Sequence, residues 1–390
     1  MKIVSVQERT VSLGSATANA TISFDSMTAS AVVVEVETQR GRFHGLGFSS
    51  IGRYGHGGLL RERFIPRLLA ASVTDLHDPD SGAFCMQRIW GVLMKDEKEG
   101  GHGERSGAVG VLETAIWDAY AKSEGLPLWA LLQREFGHSD ECGLPAGQTG
   151  VYASGGHYHA TGDDASRLAD EAKRCLDTGY SWFKLKIGGA SETMDRKRIE
   201  ATVAAAGQSR RIAVDANCAF DAPEKRQDLA KLDALSLRWI EEPVNPLNYR
   251  GLDEVSSALT TAIATGENCF AAADSSNLLL YGGLRADRDI LQMDFVLSYG
   301  LTEYLRMINM AEATGWSRRN FIPHAGHQAA LHACAGLGLG AHETGSAPGP
   351  FGGVSACTRI ANGIATVSDR PGTGIENKPE LLRYFDGMID

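Results

Sequence analysis

Residues 211–243 read RIAVDANCAFDAPEKRQDLAKLDALSLRWIEEP. A short β-branched run ends on Asp215, a polar stretch follows, and a second apolar run ends on Glu241. The pattern is strand, helix, strand, each strand closing on an acidic residue. The chain on either side repeats it. YSWFKLKI, TAIATGEN, DILQMDF and RNFIPHAG read as further strands, and SRLADEAKRCLDTG reads as one of the intervening helices. With Lys186, Asp215, Glu241, Glu267, Asp294 and His324 as markers, the intervals are 29, 26, 26, 27 and 30 residues, one βα unit each. Six units in series favour a closed parallel barrel over an open doubly wound sheet, and no glycine-rich phosphate loop follows the first strand. In a barrel the C-terminal strand ends share one face, so the six markers are expected around one ligand.

Asp215, Glu241 and Glu267 end three consecutive strands at equal spacing. Three converging carboxylates repel one another and lose solvation, and a divalent cation relieves both costs. Oxygen-only ligation points to Mg²⁺, with Mn²⁺ as the alternative. A helix cap accounts for any one of these acids but not for the regular spacing of all three. In the pair Glu241-Glu242 the first keeps the interval and is preferred.

Lys184 and Lys186 alternate on a strand and point to the same side, which flanking Trp182, Phe183 and Ile187 make the interior. A lysine base needs a pKa below its ordinary ~10.4, and the neighbouring ammonium and a metal both push that way. His324 ends the last of these strands and Asp294 the one before it. An Asp hydrogen-bonded to one imidazole nitrogen fixes the tautomer and prepares the other nitrogen as a general acid. No H-E-x-x-H pattern supports a zinc protease.

N-terminal to the repeats the texture differs. VSVQERTVSL and AVVVEVETQRGRFHGLGFSS alternate around a turn like antiparallel strands, and LLRERFIPRLLA and GAVGVLETAIWDAYAKSEG have helical spacing, the second stopped by Gly125-Leu126-Pro127. Residues 1–140 are therefore expected to form a separate α+β unit. A net charge of −10 with scattered Lys and Arg leaves no basic face for nucleic acid or an anionic membrane. Apolar runs such as Ala31 to Val34 are far short of a membrane span, and Met1-Lys2 leads into no signal-peptide core, so a cytoplasmic location is expected. Seven isolated cysteines without a C-x-x-C pair read as reduced and mostly buried.

The motifs KLKIG (184–188), VDAN (214–217), WIEEP (239–243), TGEN (265–268), QMD (292–294) and IPHAGH (322–327) together resemble the mandelate racemase-like branch of the enolase superfamily. The resemblance spans nearly the whole chain and implies a (β/α)₇β TIM-like barrel over 141–354. An α+β capping domain would be formed by residues 1–140 and joined by about 355–390. It also implies Mg²⁺ on Asp215, Glu241 and Glu267, with Lys186 as the base next to a substrate carboxylate. Lys184 would stabilise the enediolate, and His324, backed by Asp294, would act as the acid. A homo-oligomer and a small carboxylate substrate are implied as well. Segments 52–64, 98–106, 279–301 and 324–340 are similar to the tartrate dehydratases of that branch, which implies conversion of tartrate to oxaloacetate. Racemisation or epimerisation by the same Lys and His-Asp pair, and a catalytically silent ligand-binding relative, are the alternatives.

Specificity is expected from cap loops near residues 15–30 and 50–58, with Lys98 on the far carboxylate of a diacid and Tyr54, His157, His159 and Asn217 as further substrate contacts. Two positions depart from the tartrate dehydratases: Ile51 stands where they carry Asn, and Gly156-His157-Tyr158-His159 stands where they are tyrosine-rich.

Overall fold

The computed structural model describes residues 1–15, 17–98, 100–137, 143–159 and 165–389. The expected boundary at residues 140 and 141, and Cys142, lie outside this set.

The N-terminal unit is a three-stranded antiparallel sheet, β1 (Lys2–Ser12), β2 (Thr28–Thr38) and β3 (Gly41–Phe48), with β2 in the centre. The run AVVVEV in β2 is apolar on both faces because both faces are covered. Val32, Val34 and Val36 pack with Val111, Ala115 and other residues of helix α1 (Arg105–Glu124). Ala29, Ala31 and Val33 pack with Phe351, Ile375, Leu381, Phe385 and Met388 from the C-terminal segment. The approach of α1 is close: a Cβ on Gly45 would sit 1.9 Å from the Ala115 carbonyl oxygen. Helix α1 ends at Gly125, whose φ of +74° is the left-handed turn that glycine adopts without cost.

The second unit is a ring of parallel strands: β4 (Gln148–Gly155), β5 (Phe183–Lys186), β6 (Ile212–Asp215), β7 (Trp239–Glu241), β8 (Ala262–Thr265), β9 (Ile290–Leu291) and β10 (His342–Gly345). An eighth position is held by Phe321, which bridges Leu291 in parallel and whose carbonyl accepts from Gly340 N–H at 2.9 Å. Pairing of β10 with β4 closes the barrel. Its lower interior is filled by Tyr152, Trp182, Ala213, Trp239, Ala264, Ile322 and Ala341, with Tyr152 stacked on Trp182 at 4.8 Å. A packed floor of this kind leaves only the C-terminal rim for a ligand. Register then fixes neighbours on that rim: Lys186 lies opposite Asp215, and Asp215 opposite Glu241.

Among the described residues no helix is long and apolar enough to cross a membrane. Of the six cysteines among them, Cys175, Cys269 and Cys334 are buried, and Cys85, Cys218 and Cys357 are partly buried.

Candidate active site

Loops of both units enclose a cavity of about 230 Å³ above the strand ends. Lys186, Asn217, Glu242, Glu267, His324 and Glu343 line its barrel side. Asn19, Thr21, Ile22, Phe24, Ile51, Gly52 and Arg53 line its cap side. Thr21 hydroxyl donates to the Asn217 carbonyl at 2.9 Å, joining the two halves.

The two lysines are paired rather than free. Lys186 Nζ donates to Asp215 Oδ2, and Lys184 Nζ bonds Glu241 and lies 3.0 Å from Glu343 Oε1 and 3.9 Å from Asp215 Oδ2. Glu241 is fully buried and also accepts from Gln292 at 2.8 Å and from the Trp239 indole at 3.1 Å. Burial is the largest single influence and disfavours the Lys186 ammonium, but the carboxylates of Asp215, Glu241 and Glu343 together outweigh it and raise its pKa. The expectation of a lowered Lys186 pKa is corrected here: the like charge of Lys184 acts in that direction but is weaker than the carboxylate in contact. Burial works against ionised Asp215 too, yet the two ammonium groups hold it well below the usual carboxylate range.

His324 lies at the other end of the cavity rim. His324 Nδ1 lies 3.3 Å from Asp294 Oδ2, and its Nε2 lies 3.4 Å from Glu267 Oε2. Burial opposes the imidazolium, but Glu267, Asp294 and Glu343 push the His324 pKa up to about 9. Asp294 is fully buried and also meets His327 Nε2 at 3.0 Å and the Ser50 hydroxyl from the cap. His327 Nδ1 accepts from Ala330 N–H at the start of the helix Gln328–Leu337, so its Nε2 carries the proton given to Asp294.

Among the described residues no three His, Cys, Asp or Glu side chains are grouped to grip one metal ion, because Asp215 and Glu241 are bound by lysines. The donor chemistry nevertheless suits a hard divalent cation. Asp215, Glu241, Glu242 and Glu267 crowd one rim, and Glu242 is pushed well above the usual carboxyl range by burial and then by Glu267, Asp215 and Glu241. The adjacent Asn217 Oδ1 is buried without a hydrogen-bond donor among the described residues. Excess oxygen ligands that cannot all ionise are what a cation stabilises.

The cavity includes Asn217 and His157. His157 is held neutral, its pKa driven down to about 3 by burial and by Lys186, and it packs edge-on against Phe24 at 6.0 Å. Three expected substrate contacts are corrected. Lys98 is exposed and off the lining, its carbonyl held by Arg105 at 2.7 Å. Tyr54 is 53% exposed and turned toward Ser26. His159 lies outside the cavity lining, paired with Thr17 in a two-strand bridge. Four residues missed in the sequence are placed at the site: Glu343, Arg53, Asn268 and Ser50. Asn268, which follows the marker Glu267, accepts from Arg53 and donates to Glu242 Oε1 at 2.9 Å.

A capped barrel with Lys, carboxylates and a His-Asp pair at its C-terminal rim defines a class of enzymes, and comparison with known proteins names it. The family model described as "Enolase C-terminal domain-like" matches residues 167–381. The chain belongs to that family, the enolase superfamily, in its mandelate racemase/muconate lactonizing branch. It is 26% identical over 308 residues to L-talarate/galactarate dehydratase of Salmonella typhimurium, covering 79% of this chain and 71% of that protein. It is 26% identical over 241 residues to arabinonate dehydratase of Saccharolobus solfataricus, covering 61% of this chain and 60% of that protein. Among solved structures, L-talarate dehydratase from Polaromonas, complexed with Mg and L-glucarate, superposes with a TM-score of 0.74 at 23% identity, covering 96% of this chain and 94% of that one. A racemase from Streptomyces coelicolor with bound magnesium gives 0.74 at 23% identity, covering 97% and 99%. The relatives are thus acid-sugar dehydratases and racemases, and neighbours in this fold carry magnesium.

Proposed function

We propose that the protein is a Mg²⁺-dependent dehydratase of a hydroxy-diacid or acid sugar, with tartrate, giving oxaloacetate, as the first substrate to test. The observation that carries this reading is that Lys186 and an Asp294-backed His324 line one cavity.

Asp215, Glu241 and Glu267 would hold the cation, with Mn²⁺ as a substitute. When bound it supplies Lewis acidity to a substrate carboxylate. Lys186 takes the proton next to that carboxylate, which requires Asp215 to be engaged by a cation other than the Lys186 ammonium. Lys184, fixed by Glu343, offers positive charge where the enediolate develops. His324, charged below about pH 9 in this environment, gives a proton to the hydroxyl on the next carbon, and water leaves. The resulting enol becomes the 2-keto acid. Phe24, Ile51 and Phe351 shield the same space from solvent.

Racemisation uses the same two groups without loss of hydroxide. A panel of tartrate stereoisomers, aldarates and aldonates in deuterated water separates the two. Formation of 2-keto acid supports dehydration, whereas deuterium exchange with no keto acid overturns it in favour of racemisation. A protein that binds the panel but does neither is the silent relative.

A further inference from the structure

Arg53 differs from the other cations of the site. Lys184 and Lys186 are each in contact with carboxylates, but among the described residues Arg53 has no carboxylate within ion-pair distance. It is half-buried on the cap side of the cavity, where Asn19, Thr21, Ile22, Phe24, Ile51 and Gly52 carry no charge. Its guanidinium lies 5.8 Å from the Phe270 ring and spends one N–H on the Gly52 carbonyl at 2.7 Å and one on Asn268 Oδ1. Those two hydrogen bonds fix the plane of the fork, and the remaining N–H groups have no acceptor among the described residues, the preorganised state in which a guanidinium takes a carboxylate. The barrel side of the cavity holds the acids Glu242, Glu267 and Glu343, so the far end of an anionic substrate has Arg53 as its charged partner in the cap.

From this geometry we propose that Arg53 binds the distal carboxylate of the substrate and makes the site selective for diacids over the corresponding monoacids. The assignment rests on the acid-sugar dehydratase reading, and it moves to Arg53 the role that the sequence suggested for Lys98. Because Asn268 joins Arg53 to Glu242, engagement of the far carboxylate also orders the segment after Glu267.

The test uses the full chain with Mg²⁺ and a matched pair of ligands, an aldarate and the aldonate that lacks its far carboxylate. Keto-acid kinetics are measured for wild type, Arg53→Met and Arg53→Lys. Diacid and monoacid binding is also measured by calorimetry in a His324→Asn background, where turnover does not interfere. Arg53→Met should lose about 10- to 100-fold in diacid kcat/KM and affinity, mainly through KM, the size of one charged hydrogen-bonded pair, with the monoacid within about twofold. Arg53→Lys should recover part of the loss. Equal losses for diacid and monoacid, or none for either, overturn the proposal and leave Arg53 as a strap between cap and barrel. If wild type forms no keto acid, the dehydratase reading fails, and the diacid-against-monoacid binding difference still decides the role of Arg53.

Discussion

Glu113 joins the long cap helix to the barrel, and its titration should be visible in stability. It is fully buried in α1, and its carboxyl oxygens accept the backbone N–H groups of Leu301 and Thr302 at the start of the helix Leu301–Glu312. Burial outweighs these donors and pushes its pKa from 4.5 up to about 7. Between those two values the folded protein binds a proton that the unfolded chain has released, so stability falls as pH rises. This group's contribution is fully present below about pH 4.5 and lost as pH passes through about 7. At ~1.36 kcal/mol per pH unit the full change is about 3 kcal/mol. Glu113→Gln stays neutral, so the stability of the variant relative to wild type should rise by about 3 kcal/mol between pH 4.5 and 8. Any constant cost of the amide cancels in that difference. Urea unfolding of both proteins across this range is the assay, with both at one Mg²⁺ concentration. Parallel stability curves would refute the argument, and a difference of opposite sign would show that the two backbone donors outweigh burial.

Other outcomes follow from the same geometry. Gly45→Ala forces a Cβ onto the Ala115 carbonyl and should cost about 3 kcal/mol in urea unfolding. Arg198 donates to the carbonyls of Lys186 at 2.9 Å and Gly156 at 2.6 Å and pairs with Asp195 at 3.0 Å, so Arg198→Met should cost about 3–5 kcal/mol and lower kcat by displacing Lys186. His324→Asn should reduce kcat by about 10²–10⁴ with deuterium exchange at the α-carbon retained, since proton abstraction belongs to Lys186; loss of exchange as well would refute the division of roles. Removing metal with EDTA should abolish keto-acid formation and Mg²⁺ should restore it, whereas unchanged turnover would refute the metal site.

The barrel was legible because each of six strands advertises itself twice, by an apolar run and by a polar residue at its end. Two strands escaped that reading for physical reasons. The first, Gln148–Gly155, ends in Ser154 and Gly155 rather than a charged marker, and its partner His342–Gly345 is a polar run, HETG. Glu343 follows His324 by 19 residues because the helix Gln328–Leu337 starts four residues after His324 and ends five before His342, so it falls off the interval of 26 to 30 shared by the other markers. The C-terminal covering of β2 was not written in the strand itself and was implied only by the resemblance, which joined about 355–390 to the cap. A strand apolar on both faces announces that something covers each face, but not which part of the chain does so.

At the site, sequence spacing located the charged residues but not their pairing. Two lysines two residues apart read as mutually repelling, which would lower the pKa of each. The strand register instead sets Lys186 against Asp215, and Lys184 reaches Glu241 and Glu343, so each ammonium faces a carboxylate first and its like charge second. A buried charge is tolerated only with such partners, and the same partners keep a lysine protonated. The base therefore cannot be judged apart from what else its carboxylates hold. The contrast between Lys98 and Arg53 follows a similar logic. Lys98 was chosen for its place in a loop, but a long flexible ammonium in the charged run KDEKEG has little reason to leave water. Arg53, two residues beyond Ile51, is half-buried, fixed by two hydrogen bonds and packed near an aromatic ring. Only the fold could show that one is held in place and the other is not.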